Sequence, residues 1–305
     1  MGKIAFVFSG QGAQYSGMGS SLYEVSAAAK KVFNTAEELR PGTEKQCFEG
    51  SLEEISITKN TQPCLYCVDL ASAMALEEAG VHAEAAAGFS LGEVAAATFA
   101  GVMSAKDGFG FVVRRGELMQ VAAEKAETAM AAVLKLSNEA VEELCAQHPG
   151  VYPVNYNCPG QLVVAGLKPE LEGFSEAVAK SGGRTVTLNV SGGFHSPFMQ
   201  EAAEALGEVL DAIELNAPRI PLYANYTAQP YGNARELLEK QVCNPVRWQQ
   251  TIEHMKADGV DTFIEVGAGK TLCGLIKKID RSLRIYHVEN AETLLETVNA
   301  IKEII

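Results

Sequence analysis

The chain has 305 residues, 47% hydrophobic and 21% charged, enough to bury a large core as one unit or as a large unit with a smaller insert. A formal net charge of −13 with no basic stripe argues against a nucleic-acid binder. No segment reaches membrane-spanning length, the apolar start is too short for a signal-peptide core, and Phe6 breaks a myristoylation pattern, so a cytoplasmic location and no membrane partner are expected.

Lys3 to Phe8 reads as a strand running into the glycine-rich loop Ser9-Gly10-Gln11-Gly12-Ala13-Gln14-Tyr15. A dinucleotide fingerprint would need glycine where Tyr15 stands, so the loop reads as backbone N–H groups open to a ligand, with Gln11 and Gln14 as polar arms. Helical patterns cover residues 22–39 and 64–79, the second with Thr61 as its expected cap and Pro63 in its first turn. The seven cysteines form no even framework and are expected to be reduced. Cys64 and Cys67, formally a C-x-x-C, lack a second pair or a nearby histidine and read as buried helix residues.

Gly88-Phe89-Ser90-Leu91-Gly92 carries the Gly-x-Ser-x-Gly spacing of a nucleophile elbow, between an apolar run at 83–87 and a helical run at 94–100 that stops at Gly101. Glycine on both sides permits the sharp turn, and a serine at a helix N-terminus faces free N–H groups that suit an oxyanion. A plain helix-capping serine is the competing reading; the strand-to-helix context favours a nucleophile. The following helix carries Arg114 and Arg115, residues that are exposed in most helices but form a fork for a carboxylate when one reaches such a serine.

Residues 128–189 change pattern and run strand, helix, strand, strand, helix, strand, the order of a ferredoxin-like unit, read here as an insert. His195 follows on the loop Ser191-Gly192-Gly193-Phe194-His195-Ser196. Its placement makes it a candidate general base, and the residues alone leave that role and a bland one equally open. His82, His148, His254 and His287 sit where a structural role is easily supplied. Beyond it, short strands and helices alternate again. Gly269-Lys270-Thr271 matches a P-loop ending, but the motif needs glycine at Ile264. Lys277, Lys278, Arg281 and Arg284, the densest basic cluster, read as a helix C-terminus with a solvated face.

Taken together in order, these stretches resemble the malonyl-CoA:acyl carrier protein transacylases of fatty-acid and polyketide synthesis. The residues concerned are Phe6 to Gln14, Thr61-Gln62-Pro63, Gly88 to Glu93, Arg115 to Gln120, Asn155 to Gln161, Gly193 to Ser196, Gln241 to Trp248 and Glu265 to Lys270. The resemblance implies an α/β-hydrolase-like core (1–127 and 190–305) with an inserted ferredoxin-like α+β subdomain (128–189). It implies Ser90 as nucleophile, His195 as general base, and the backbone N–H groups of Gln11 and Leu91 as oxyanion hole. Arg115 would pair with the malonyl carboxylate, Gln62 and Asn157 would line the substrate site, and the backbone carbonyl of Gln241 would orient His195. No metal or cofactor is implied; malonyl-CoA and acyl carrier protein are the implied partners, with a monomer as the default.

Two positions depart from the family pattern. Phe89 stands where histidine is usual, and Ala268 where proline is common. The Gly-Phe-His-Ser stretch resembles the malonyl-selective form of the histidine loop. A serine hydrolase using the same elbow, or a non-catalytic carrier-binding scaffold, are the competing readings. Arg115 argues against the first, and an intact Ser90, His195 and Arg115 against the second.

Overall fold

The computed structural model describes residues 2–304. β1 (Lys3–Phe8) leads through α1 (Ser20–Val25), α2 (Ala27–Leu39), α3 (Thr43–Glu49) and α4 (Leu52–Ile55) to the long α5 (Thr58–Glu78). β2 (Ala85–Gly88), α6 (Leu91–Phe99) and α7 (Ala105–Glu124) follow. Next come β3 (Thr128–Leu134), α8 (Asn138–Gln147), β4 (Val151–Cys158), β5 (Gln161–Leu167), α9 (Lys168–Lys180) and β6 (Arg184–Thr187). The remaining elements are α10 (Gln200–Leu210), β7 (Leu222–Tyr223), α11 (Ala234–Gln241), α12 (Trp248–Ala257), β8 (Val260–Val266), α13 (Thr271–Ile279), β9 (Arg284–Val288) and α14 (Ala291–Ile304).

Two sheets organise these elements. The first is parallel throughout, in the order β7-β2-β1-β8-β9, and the second antiparallel, in the order β4-β5-β3-β6. A parallel sheet covered on both faces needs apolar residues on both sides of its strands. β1 supplies them: Phe6 and Phe8 join one core with α5 and α6, while Ala5 and Val7 join another with Trp248 and Ile252 of α12. The alanines of β2, poor strand formers by propensity, are explained by close packing. A Cβ on Gly88 would lie 2.0 Å from the Gly92 carbonyl carbon, so α6 presses on the end of the strand.

Several sequence expectations are corrected. The pattern at 22–39 is two helices, because Ser26 takes extended backbone and caps α2 through Ala29 N. α5 begins six residues before position 64. Thr61 is therefore not its cap but lies inside it, donating back to the Ile55 carbonyl at 2.6 Å, and Pro63 lies beyond the first turn. Burial on nearly all sides stabilises this helix through packing, which outweighs the missing proline N–H. Cys64 and Cys67 are buried within it, and all seven cysteines are free. α14 was not among the expected elements. Among the described residues, no helix is long and apolar enough to cross a membrane.

Candidate active site

The elbow forms where β2 leaves the sheet. Ser90 adopts φ 54° and ψ −107°, and the chain turns directly into α6. Glycines are required on both sides: a Cβ on Gly92 would come within 2.3 Å of the Phe8 carbonyl oxygen. Although Ser90 is the N-terminal flanking residue of α6, its hydroxyl makes no capping hydrogen bond. It stands 2.6 Å from His195 Nε2 instead. The capping reading therefore fails.

His195 is 3% exposed and also has a left-handed backbone, at φ 60°. Its own N–H donates to the Val242 carbonyl, and its Nδ1 faces the carbonyls of Gln241 (3.0 Å) and Asn244 (3.2 Å). Carbonyls only accept, so Nδ1 carries the proton and Nε2 is left free to accept from Ser90. Burial, with the nearby Arg115 cation, pushes the imidazole pKa down to about 4, against the pull of the two carbonyls. The ring is thus neutral at pH 7, the form a base needs. The other four histidines take bland roles; His148, for example, bonds the Leu144 carbonyl one turn back.

Arg115 projects from α7 and is 1% exposed, whereas Arg114 is exposed and pairs with Glu117. Its Nη2 donates to Ser90 Oγ (3.2 Å) and Gln241 Oε1 (2.8 Å), and its Nη1 to Gln62 Oε1 (2.8 Å). Nε has no partner among the described residues. Burial pushes the guanidinium pKa down to about 10, partly offset by Glu93, and leaves it cationic at neutral pH. A buried cation flanked by two neutral carboxamides, beside the serine, retains capacity for an anion.

The N–H groups of Gln11 and Leu91 have no protein acceptor among the described residues. Gln11 and Asn157 line a cavity of ≈ 220 Å³ with Phe89, Asn155 and Glu265. Ser90, Arg115 and His195 are not in its walls, so the cavity adjoins the elbow without containing it. Asn157 Oδ1 has no hydrogen-bond partner among the described residues. Phe89 packs edge-on against Trp248, ring centroids 5.5 Å apart.

Three participants escaped the sequence reading. Glu93, in the first turn of α6, is 1% exposed and accepts from Tyr231 OH (2.5 Å), Gln241 Nε2 (2.8 Å) and Asn225 N (3.2 Å). Burial pushes its pKa up to about 7 against those hydrogen bonds. Asn225 accepts from Ser90 N at 2.7 Å and donates to the Gly88 carbonyl at 2.5 Å, bracketing the elbow. Glu93 adjoins the glycine of the motif and could have been suspected. Asn225 and Tyr231, more than 130 residues from the elbow, left no local signal.

A family model described as an acyl transferase domain matches residues 5–294. The chain belongs to the acyl transferase domain family. This acyltransferase is 40% identical, over 99% of its length and 98% of the relative's, to a malonyl CoA-acyl carrier protein transacylase of Bacillus subtilis (strain 168). Its identity to the protein of that name from Escherichia coli (strain K12) is 36%, covering 92% and 93% of the two chains. The malonyl CoA-acyl carrier protein transacylase from Clostridium perfringens superposes with a TM-score of 0.96 at 36% identity, covering 99% and 98% of the two chains. A malonyl-transacylase solved in complex with its type II PKS acyl-carrier protein gives 0.93 at 34% identity over 98% and 99%.

Proposed function

We propose that the acyltransferase moves a malonyl group from malonyl-CoA to the phosphopantetheine thiol of an acyl carrier protein, through a malonyl-serine intermediate in a ping-pong sequence. The observation that carries this reading is Arg115 Nη2, buried 3.2 Å from Ser90 Oγ. A carboxylate desolvated there without a partner would cost several kcal/mol, roughly, and a guanidinium fork offsets that cost. The names of the relatives point to the same donor and acceptor.

His195 Nε2 takes the Ser90 proton as Oγ attacks the thioester carbonyl. The N–H groups of Gln11 and Leu91 receive the negative charge that develops on its oxygen. Collapse of the tetrahedral intermediate expels the CoA thiol, which takes the proton from His195. The carrier thiol then gives its proton to His195 and attacks the ester, and Ser90 recovers its hydrogen as it leaves. The carbonyl of Gln241 holds the imidazole in the required tautomer, while Gln62 steadies Arg115 and Asn157 lines the approach.

No step calls for a metal or cofactor. In this reading residues 1–127 and 190–305 form an α/β-hydrolase-like core, and residues 128–189 a ferredoxin-like insert. The order β4-β5-β3-β6, with two helices between its strands, supports the latter. We take the enzyme as a cytoplasmic monomer. The test is intact mass after brief mixing with malonyl-CoA, then addition of phosphopantetheinylated carrier protein. A malonyl adduct on Ser90 that leaves only when carrier arrives supports transfer, whereas decay at the same rate without carrier would make the enzyme a hydrolase.

A further inference from the structure

We propose that Glu93 is a positioning residue which, acting through Gln241 and Asn225, sets both peptide planes flanking Ser90 and thereby aims the Leu91 N–H. The inference rests on the acyl-transfer reading of this site.

In a trans peptide the C=O and N–H of one plane point in opposite directions. Holding the Ser90 carbonyl therefore aims the Leu91 N–H. That carbonyl accepts from Gln241 Nε2 at 2.6 Å and from Glu93 N at 3.1 Å. The plane on the other side of Ser90 is held by its N–H, which donates to Asn225 Oδ1. Both holders are carboxamides, which can be turned end for end to present the wrong atom.

Glu93 removes that ambiguity for Gln241. Its Oε2, an acceptor, faces Gln241 Nε2, so the amide nitrogen must point at Glu93 and Ser90 while Oε1 points at Arg115. Arg115 only donates, so both ends of the carboxamide agree. The same Oε2 accepts from Asn225 N, fixing the backbone from which Asn225 reaches both Ser90 N and the Gly88 carbonyl. Tyr231 OH anchors Oε1. Glu93 thus touches no reacting atom, yet it lies behind the serine, the proposed oxyanion donor and Arg115 together.

The experiment is rapid-quench intact mass of the full chain across a malonyl-CoA series, comparing wild type, Glu93→Ala and Glu93→Gln. Amplitude, maximal rate and half-saturation of Ser90 acylation are read separately. A misaimed oxyanion donor is expected to lower the maximal rate by ~10²-fold in Glu93→Ala with full amplitude and unchanged half-saturation. Glu93→Gln, which keeps an acceptor oxygen for Gln241 and Asn225, should recover most of that rate. A wild-type rate in Glu93→Ala overturns the proposal. So does a loss of amplitude alone, the mark of a merely structural role, or a raised half-saturation alone, the mark of a charge partner for Arg115. If Glu93→Ala does not fold, Glu93→Asp withdraws the carboxylate by one methylene and carries the same expectation. Acylation by p-nitrophenyl acetate, which develops an oxyanion without a malonyl carboxylate, reads the clamp even if wild type takes no malonyl; that last result would count against the donor assignment instead.

Discussion

Ser90 Oγ and His195 Nε2 stand 2.6 Å apart, and both residues hold left-handed backbone to meet there, at φ 54° and 60°. Such conformations cost of order 1–3 kcal/mol each for residues other than glycine and persist only where the surroundings impose them. Asn225 imposes one by bracketing Gly88 and Ser90. Ser90→Gly and Ser90→Ala both remove the nucleophile and should abolish loading. Glycine alone relieves the backbone, so it should be the more stable of the two by about 1 kcal/mol. Thermal or denaturant unfolding of the pair decides this, and equal stability would mean the elbow stores no strain.

The imidazole of His195, pushed down from 6.5 to about 4, should keep its basic form well into acid. The kcat/KM for Ser90 acylation is therefore expected to rise through about pH 4, with no break at 6.5. Stability follows the same shift. The unfolded chain takes up a proton at 6.5 while the native ring resists, so this contribution is complete above 6.5 and is lost as pH falls towards 4. A rate profile with its only acid limb centred at 6.5 would show that the native ring is hydrated rather than buried.

Arg115 should decide between acyl groups. Replacing it with alanine removes the buried partner for a carboxylate, a loss of about 2–5 kcal/mol, and malonyl loading should fall at least ~30-fold. Acetyl loading should fall much less or rise, because a neutral acyl group leaves the native guanidinium unpaired. Competition between malonyl-CoA and acetyl-CoA, read by adduct mass, gives the ratio. An unchanged ratio would remove Arg115 from the specificity argument.

The glycines of the elbow should tolerate nothing larger. A Cβ at Gly92 meets the carbonyl oxygens of Phe8 and Ser9 at 2.3 and 2.4 Å, and backbone cannot swing aside as a side chain can. Gly92→Ala is expected to cost more than ~3 kcal/mol, measured as a lowered denaturation midpoint and lost loading. Near-wild-type stability would mean that β1 and α6 separate more easily than their contact implies.

Phe89 packs on Trp248 and lines the cavity beside the elbow, without a hydrogen bond to Ser90, His195 or Arg115. Phe89→His should therefore change the malonyl loading rate by less than about threefold and stability by less than about 1.5 kcal/mol. A tenfold change in rate would place this side chain in contact with the acyl group or its thioester.

Local chemistry made much of the molecule legible. The strand at 3–8, the elbow and the strand and helix order from 128 to 187 all emerged near their observed bounds, because hydrophobic period, glycine spacing and turn residues act over a few positions. Gly101 stands after α6 at φ 82°, as a residue of that kind should. The errors at helix boundaries had two causes, tertiary packing around α5 and a local cap at Ser26. α5 extends across Thr61 and Pro63 because nearly every side of it is buried, and Ser26 divides one apparent helix into two.

Residue types and their spacing already marked which groups could do chemistry here: a serine between glycines, a histidine on a glycine-rich loop, and two adjacent arginines. Whether Ser90 caps a helix or faces a base, which arginine turns inward, and what holds either peptide plane at the elbow were decided by the fold alone. These are contacts between positions 25 to 151 residues apart. Such contacts depend on how two sheets and their helices stack, and no periodicity within one segment records which distant carbonyl or carboxamide will lie beside it.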